Sequence, residues 1–253
     1  MIELSLEFIA RDAGKAVARG DLIIVIDVLR ATTSIITAIS CGAKSVIPTE
    51  TLKEAYELHK RHLDYILVGE MNGLTPRGFD YGNSPQELTS KKVRGKNLIM
   101  ATTNGTKALV ASRRAKWVLT AAFVNASAMA KKAVEICDEE RVGVSFVLAG
   151  EEDRFSFEDF VCAGAIIDRF TKSRASLSDE TLAALLAFKQ IKSNLFENIV
   201  RGKHAQHLIK LDLRKDIEFS CQIDAYNVIP LYQNGRIKRL ENKGQIKPCN
   251  KES

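Results

Sequence analysis

Along the first residues apolar and polar positions alternate, Ile2-Glu3-Leu4-Ser5-Leu6-Glu7, the period of a strand with one buried face. Residues 12–18 then read as a short helix ending at Gly20. Leu22-Ile23-Ile24-Val25-Ile26-Asp27-Val28 is a continuous apolar run that reaches an acid, the pattern of a strand covered on both faces in a parallel sheet. A helix opens at Arg30-Ala31-Thr32-Thr33-Ser34, carries Ile35, Ile36 and Ile39, and stops at Gly42. Strand, helix and strand follow at 45–48, 51–61 and 65–68. A second unit has the same grammar: strand 98–101, the turn Thr102-Thr103-Asn104-Gly105-Thr106, and a helix through Ala108, Leu109 and Val110. Further strands are expected at 117–123, 142–148 and 228–232. Helices are expected up to Cys137, over 156–170, and as one or two pieces within 178–202. A turn at Asn234-Gly235 and a polar tail over 241–253 close the chain.

This alternation predicts an α/β fold, a layered α/β/α arrangement with a largely parallel sheet and right-handed crossovers. Residues 1–240 make either a single region or two α/β lobes with a boundary near 85–97. Aligning Ala43-Lys44 with Ala115-Lys116 sets Thr32-Thr33-Ser34 over Asn104-Gly105-Thr106, a weak internal echo. It suggests two hydroxyl-rich helix N-termini at the carboxyl edge of one sheet. Between the units runs a stretch from Gly69 to Pro85 in which four glycines and two prolines exclude regular structure. Loops longer than about 12–15 residues are uncommon in compact domains and are usually functional or disordered. Leu74, Phe79 and Tyr81 argue against disorder, whereas Glu70, Asp80 and Arg77 suit a metal ion and an anion held together. The alternative is a well-packed surface loop.

Composition changes this picture little: 45% hydrophobic and 27% charged residues in 253 are ordinary for a globular chain with an ample core. There is no apolar stretch of membrane-spanning length and no signal-peptide pattern, so a cytoplasmic protein without a membrane partner is expected. The five cysteines are scattered and odd in number; Cys41 and Cys162 lie in apolar runs and read as reduced core thiols. The net charge of +6 would admit a polyanion, but apart from Lys91-Lys92, Arg113-Arg114 and Lys131-Lys132 the basic residues are dispersed. With 7% aromatic residues and no aromatic–basic interleaving, nucleic acid is not the expected partner.

Ligands of open α/β sheets sit at the carboxyl ends of the strands. Asp27, Arg30, Thr32, Thr33, Glu70, Asp80, the turn 102–106, Asn125, Glu158 and Asp159 all fall just past an expected strand or at the next helix start. Hard oxygen ligands without a Cys/His cluster suit Mg²⁺, and threonine-rich helix N-termini with the planar forks of Arg30 and Arg77 suit phosphate. The set reads as a magnesium-assisted phosphoryl site. Each member also has a plainer role. Asp27 suits a turn or cap, and Thr32, Thr33 and Thr103 suit helix N-caps. Ser156-Phe157-Glu158-Asp159 fits a capping-box-like start whose acids complement the macrodipole. Arg30 and Arg77 suit surface ion pairs. His59/His62 and His204/His207 read as solvated helix faces.

Four motifs in order give the chain a likeness. Asp27-Val28-Leu29-Arg30-Ala31-Thr32-Thr33, Gly69-Glu70 with Gly78-Phe79-Asp80-Tyr81-Gly82-Asn83-Ser84-Pro85, Thr102-Thr103-Asn104-Gly105-Thr106, and Ser156-Phe157-Glu158-Asp159-Phe160 resemble the 2-phosphosulfolactate phosphatase (ComB-like) family. The match spans about 20–170, with a looser continuation from His204 to Pro230; where the family pattern has His-Gly, this chain has His204-Ala205. The resemblance implies a Mg²⁺-dependent phosphatase converting 2-phosphosulfolactate to sulfolactate and phosphate, a step toward coenzyme M, and an α/β fold of its own. Taken with the residue pattern, catalytic roles are expected for Asp27, Arg30, Glu70 and Asp159, and metal ligands drawn from Asp27, Glu70, Asp80, Glu158 and Asp159. The phosphoester would be bound by Arg30, Thr32, Thr33, Arg77, Asn83, Ser84, Thr103, Asn104, Gly105, Thr106 and Asn125. Attack by a carboxylate-oriented water and transfer through an aspartyl-phosphate on Asp27 both fit. The alternative function is a non-catalytic phosphometabolite-binding protein, with an RNA-binding protein third. The expected partner is a small anionic phosphoester; a homo-oligomer is compatible with the sequence.

Overall fold

The computed structural model describes residues 1–151, 154–170 and 175–241, so the expected polar tail lies, Glu241 apart, outside the described residues. In chain order the first half contains β1 (Ile2–Glu7), α1 (Ala13–Arg19), β2 (Leu22–Ile26), α2 (Ala31–Ser40), β3 (Ser45–Thr49), α3 (Leu52–Arg61), β4 (Ile66–Gly69), α4 (Ser90–Val93) and β5 (Asn97–Ala101). Then come α5 (Gly105–Ala111), β6 (Val118–Ala121), α6 (Ala126–Glu140), β7 (Val144–Leu148), α7 (Phe157–Phe170), β8 (Ala175–Leu177) and α8 (Asp179–Ile191). The last elements are α9 (Leu195–Ile199), α10 (Lys203–Lys210), α11 (Arg214–Ser220), β9 (Pro230–Gln233) and β10 (Arg236–Arg239). Two helix starts are capped by a hydroxyl: Thr51 accepts from Glu54 N–H ahead of α3, and Ser178 from Thr181 N–H ahead of α8.

The strands form a mixed, largely parallel sheet in the order β4-β5-β3-β10-β9-β6-β2-β7-β1-β8. Two parallel blocks, β4–β5–β3 and β6–β2–β7–β1–β8, are joined by the β9–β10 hairpin, which pairs antiparallel with β6 on one side and β3 on the other. Alternate residues of β2 feed two cores, which is why its run is apolar throughout. Ile23 and Val25 pack in one cluster with Val46 of β3, Met100 of β5, Ile35 and Ile36 of α2 and Leu109 of α5. Leu22, Ile24 and Ile26 face the other way, onto a cluster with Met129 of α6, Val161 and Ile166 of α7 and Phe188 of α8. On the opposite face of β4 and β5, Leu67 and Ile99 pack with Ala55 of α3. Helices thus cover both sheet faces, and α2 is buried from Ala31 to Ile39 between the two blocks.

Departures from the expected elements have local causes. β2 stops at Ile26 because Asp27 N–H goes to the Thr32 hydroxyl and Val28 N–H to the Asp159 carboxylate, leaving neither for the ladder. β8 and β10 are short edge and hairpin strands whose pairing is supplied by β1 and by β3 and β9. Cys137 and Cys162 are buried free thiols, whereas Cys41 and Cys221 are half-buried; Cys249 lies outside the described residues. Among the described residues no helix is long and apolar enough to cross a membrane.

Candidate active site

After β2 the chain turns tightly into α2, and the turn is locked by hydroxyls. Thr32 Oγ1 accepts from Asp27 N–H (3.0 Å) and donates to Asp27 C=O (2.7 Å), while Thr33 Oγ1 donates to Val28 C=O (2.8 Å). The β5–α5 turn is built alike: Thr106 Oγ1 accepts from Thr102 N–H (3.2 Å) and donates to Thr102 C=O (3.1 Å). The two turns meet at Asp27. Its Oδ1 accepts from Ala31 N–H (3.1 Å), and the Gly105 N–H also bears on the carboxylate. Residue 105 must be small here, since a Cβ would lie 2.5 Å from both Asp27 Oδ2 and Ala31 Cβ.

Two more acids stand behind Asp27. Glu158 and Asp159, in the first turn of α7, are buried, and Asp159 Oδ1 accepts from Val28 N–H (2.8 Å). Burial pushes the Asp27 carboxyl up to about 7, helped by the Glu70 charge and opposed by the Ala31 N–H and Arg30. Burial likewise pushes Glu158 up to about 7, with Asp27 adding to the rise. Asp159 is pushed well above its ordinary range, by burial and then by the charges of Asp27 and Glu158. The three form a buried like-charge cluster.

In front of Asp27 lies a cleft of about 80 Å³. Glu70, just past β4, closes one wall: Oε1 accepts from Thr103 N–H (2.7 Å) and Oε2 from Gly73 N–H (2.8 Å). Gly73 sits at the tip of a two-residue turn, Asn72-Gly73, flanked by the reciprocal Met71–Leu74 backbone pair (2.9 and 3.1 Å). Positive φ at both tip residues, 52° and 84°, is what an Asn-Gly hairpin turn requires. Arg30, 4% exposed, donates Nη1 to Asp216 Oδ2 (2.8 Å) and Nη2 to Gly73 C=O (2.7 Å). Asp216 Oδ1 accepts from Ser84 Oγ (2.6 Å). The α10 helix brings His204, His207 and Leu208 to the cleft, and Glu151 also lines it. His204 Nδ1 is 3.8 Å from Glu158 Oε1; burial holds its pKa below the ordinary value against the pull of Glu151 and Glu70. Asn83 Oδ1 and Thr103 Oγ1 are buried without a partner, and both residues line the cleft, as groups that await a ligand do.

Of the residues singled out in the sequence, Asp27, Arg30, Glu70, Asn83, Thr103 and Asn104 line the cleft. Ser84, Gly105, Glu158 and Asp159 contact or support that wall. Thr32, Thr33 and Thr106 are fully buried with hydroxyls engaged by the backbone. Asn125 is fully buried elsewhere, its amide bridging Ala122 N–H (3.0 Å) and Val228 C=O (3.0 Å). Asp80 is exposed and turns back to accept from Leu67 N–H (2.8 Å). Arg77 is exposed, with its carbonyl accepting from Tyr56 Oη (2.5 Å), and does not line the cleft. Leu29, Asn72, Gly73, Glu151, His204, His207 and Leu208 also line the cleft, and Asp216 pairs with Arg30 beside it; none of these is selected in the sequence. The i, i+3 spacing of the histidines was the available signal for two of them; Asp216 offered none.

Among the described residues no three His, Cys, Asp or Glu side chains form a ready metal cage. Mg²⁺ ordinarily takes only one or two carboxylates together with waters and substrate phosphate oxygens. A buried carboxylate cluster that holds protons strongly has the donor chemistry for such an ion.

The family model described as 2-phosphosulpholactate phosphatase matches residues 9–235. A Clostridium acetobutylicum protein named "Probable 2-phosphosulfolactate phosphatase" is 37% identical over 241 residues, 93% of this chain and 100% of that one. Proteins of the same name from Thermotoga petrophila and Clostridium tetani are 40% and 39% identical, covering 84% and 85% of this chain and 89% and 91% of theirs.

Proposed function

The chain belongs to the 2-phosphosulpholactate phosphatase family, and from that premise we propose that its cleft hydrolyses 2-phosphosulfolactate to sulfolactate and phosphate with Mg²⁺ bound. It is a phosphoric monoester hydrolase. The observation that carries the metal requirement is the charge of the cleft. Asp27, Glu70 and Glu151 line it, while Arg30, the one guanidinium there among the described residues, is already paired with Asp216. A substrate carrying phosphate, carboxylate and sulfonate enters such a cleft only with further positive charge. Asp27, with Glu158 and Asp159 behind it, would hold Mg²⁺, which supplies charge to neutralise the phosphoryl oxygens.

The chain's own groups do the rest. Arg30 has five N–H donors and two are engaged by Asp216 and Gly73, which leaves three for substrate oxygens. The Thr103 hydroxyl donates to a phosphoryl oxygen, and the Asn83 amide takes a second polar group of the substrate or the attacking water. Glu70 fixes the Asn72-Gly73 tip and the Thr103 backbone at once, so the wall is preorganised before the substrate arrives. The sulfonate of the product supports a place on the route to coenzyme M, and free thiols support a cytoplasmic setting. Phosphate release from racemic 2-phosphosulfolactate, with Mg²⁺ and with EDTA, tests the reading. Metal-dependent release is expected; an inert protein that still binds the phosphoester would make it a binding protein.

A further inference from the structure

One continuous chain of hydrogen bonds runs around the cleft, and Asp216 of α11 joins it from the C-terminal helices. Ser84 Oγ donates to Asp216 Oδ1 (2.6 Å), and Arg30 Nη1 to Asp216 Oδ2 (2.8 Å). Arg30 Nη2 donates to Gly73 C=O (2.7 Å); Gly73 N–H and Thr103 N–H donate to the two oxygens of Glu70 (2.8 and 2.7 Å). The chain joins the β2–α2 turn, both ends of the 69–85 loop, the β5–α5 turn and α11. Asp216 lies 132 and 186 residues from its two partners. The Arg30 and Asp216 side chains are 3% and 5% exposed, so the pair acts in a low-dielectric setting where a partner cannot be replaced by water.

We propose that Asp216 is a positioning residue for the hydrolysis, a reading that rests on the phosphatase function above. It does not line the cleft; it acts through Arg30. Held by Ser84, its carboxylate fixes the plane of the guanidinium so that the free donors face the phosphoester. Because α11 directly follows α10, the same contact ties the arm that carries His204 and His207 to the assembled anion site. Without Asp216 the guanidinium loses its anchor on one side and swings away from the orientation that Gly73 alone cannot define. Asn at 216 keeps one acceptor and loses the charge; Ala loses both bonds.

The test is a double-mutant cycle on kcat/KM for 2-phosphosulfolactate, paired with calorimetric binding of inorganic phosphate. Asp216→Ala is expected to lower kcat/KM about 100-fold, the scale of an ångström-sized misplacement at a reacting centre. In an Arg30→Met background the same substitution is expected to change it less than about threefold, because non-additivity marks residues that act as one unit. Phosphate affinity falls in parallel, more in Asp216→Ala than in Asp216→Asn. Ser84→Ala, which removes only the anchor, gives an intermediate loss with the melting temperature little changed, and stands in if Asp216→Ala does not fold. Full multiplicativity of the two substitutions, or wild-type phosphate affinity in Asp216→Asn and Ser84→Ala, overturns the proposal. A wild type that binds phosphate but releases none from the phosphoester overturns the phosphatase reading alone, since the phosphate-binding arm still decides the role of Asp216.

Discussion

Gly105→Ala places a methyl group where the start of α5 approaches the Asp27 carboxylate. The added Cβ would stand 2.5 Å from Asp27 Oδ2, 2.5 Å from Ala31 Cβ and 3.1 Å from Asp27 Cγ. Carbon contacts relax near about 3.5–4.0 Å, so roughly 1 Å of movement is required. Neither neighbour is a flexible tip: Ala31 is in the first turn of a buried helix, and Asp27 is tied to its N–H. Residue 105 is not among the left-handed glycines, so alanine meets no backbone strain and the effect is steric. At an open position Gly→Ala would stabilise by about 0.4–1 kcal/mol. Overpacking here should instead destabilise by about 1–3 kcal/mol, or about 2–4 °C of melting temperature per kcal/mol for a chain of this size. Withdrawal of α5 also displaces Thr103 and Asn104 from Asp27, and about 1 Å at the reacting centre is worth about 100-fold in rate. Melting temperature and kcat for phosphate release, measured on the same preparation, check both figures. A Gly105→Ala protein with wild-type kcat and an unchanged or higher melting temperature would refute the close approach of the two helix starts.

Asp27→Asn tests the buried acid cluster through pH. The folded-state value is raised from 3.8 to about 7, so the folded form holds the proton more strongly. The contribution is full below about pH 4 and is lost as pH rises through 7, an upper bound of about 4 kcal/mol at about 1.4 per unit. The variant should therefore melt above the metal-free wild type at pH 8 and level with it at pH 4; a lower melting temperature at pH 8 would contradict the cluster. Thr32→Val should lose about 1–3 kcal/mol of stability by denaturant titration, with the phosphoester KM within twofold, because its hydroxyl serves the backbone; a tenfold rise in KM would make it an anion ligand. Arg77→Ala should leave kcat/KM within twofold, since the side chain is exposed away from the cleft; a tenfold loss would contradict that placement.

What the sequence disclosed depended on how local the cause was. The 22–26 run announced a doubly covered strand because each of its residues is taken by one of two cores. That Asp27, Arg30 and Glu70 would line a cleft was legible because ligands of α/β sheets sit past the strand ends. The same rule also picked Asp80, and nothing in the chain told the two apart: Asp80 folds back onto Leu67 N–H only because the loop returns alongside β4. Thr32 and Thr106 looked like phosphate ligands because a hydroxyl that locks a turn and one that binds an anion sit at the same helix starts. Asp216 was illegible for a plainer reason: its partners are Ser84 and Arg30, far away in the chain. The β9–β10 hairpin between the two parallel blocks is likewise a nonlocal choice, made by pairing with β3 and β6.

We propose Asp27 as the centre of the phosphatase site, with Mg²⁺ as its partner. The most direct measurement is the initial rate of phosphate release from 2-phosphosulfolactate by Asp27→Asn beside wild type, at saturating Mg²⁺ and in EDTA. Asn keeps an acceptor for the Ala31 N–H, so the turn survives while the charge is lost. A fall of about 1,000-fold or more, to the rate of wild type in EDTA, is predicted. Near-full turnover with unchanged metal dependence would place the chemistry somewhere other than this cleft.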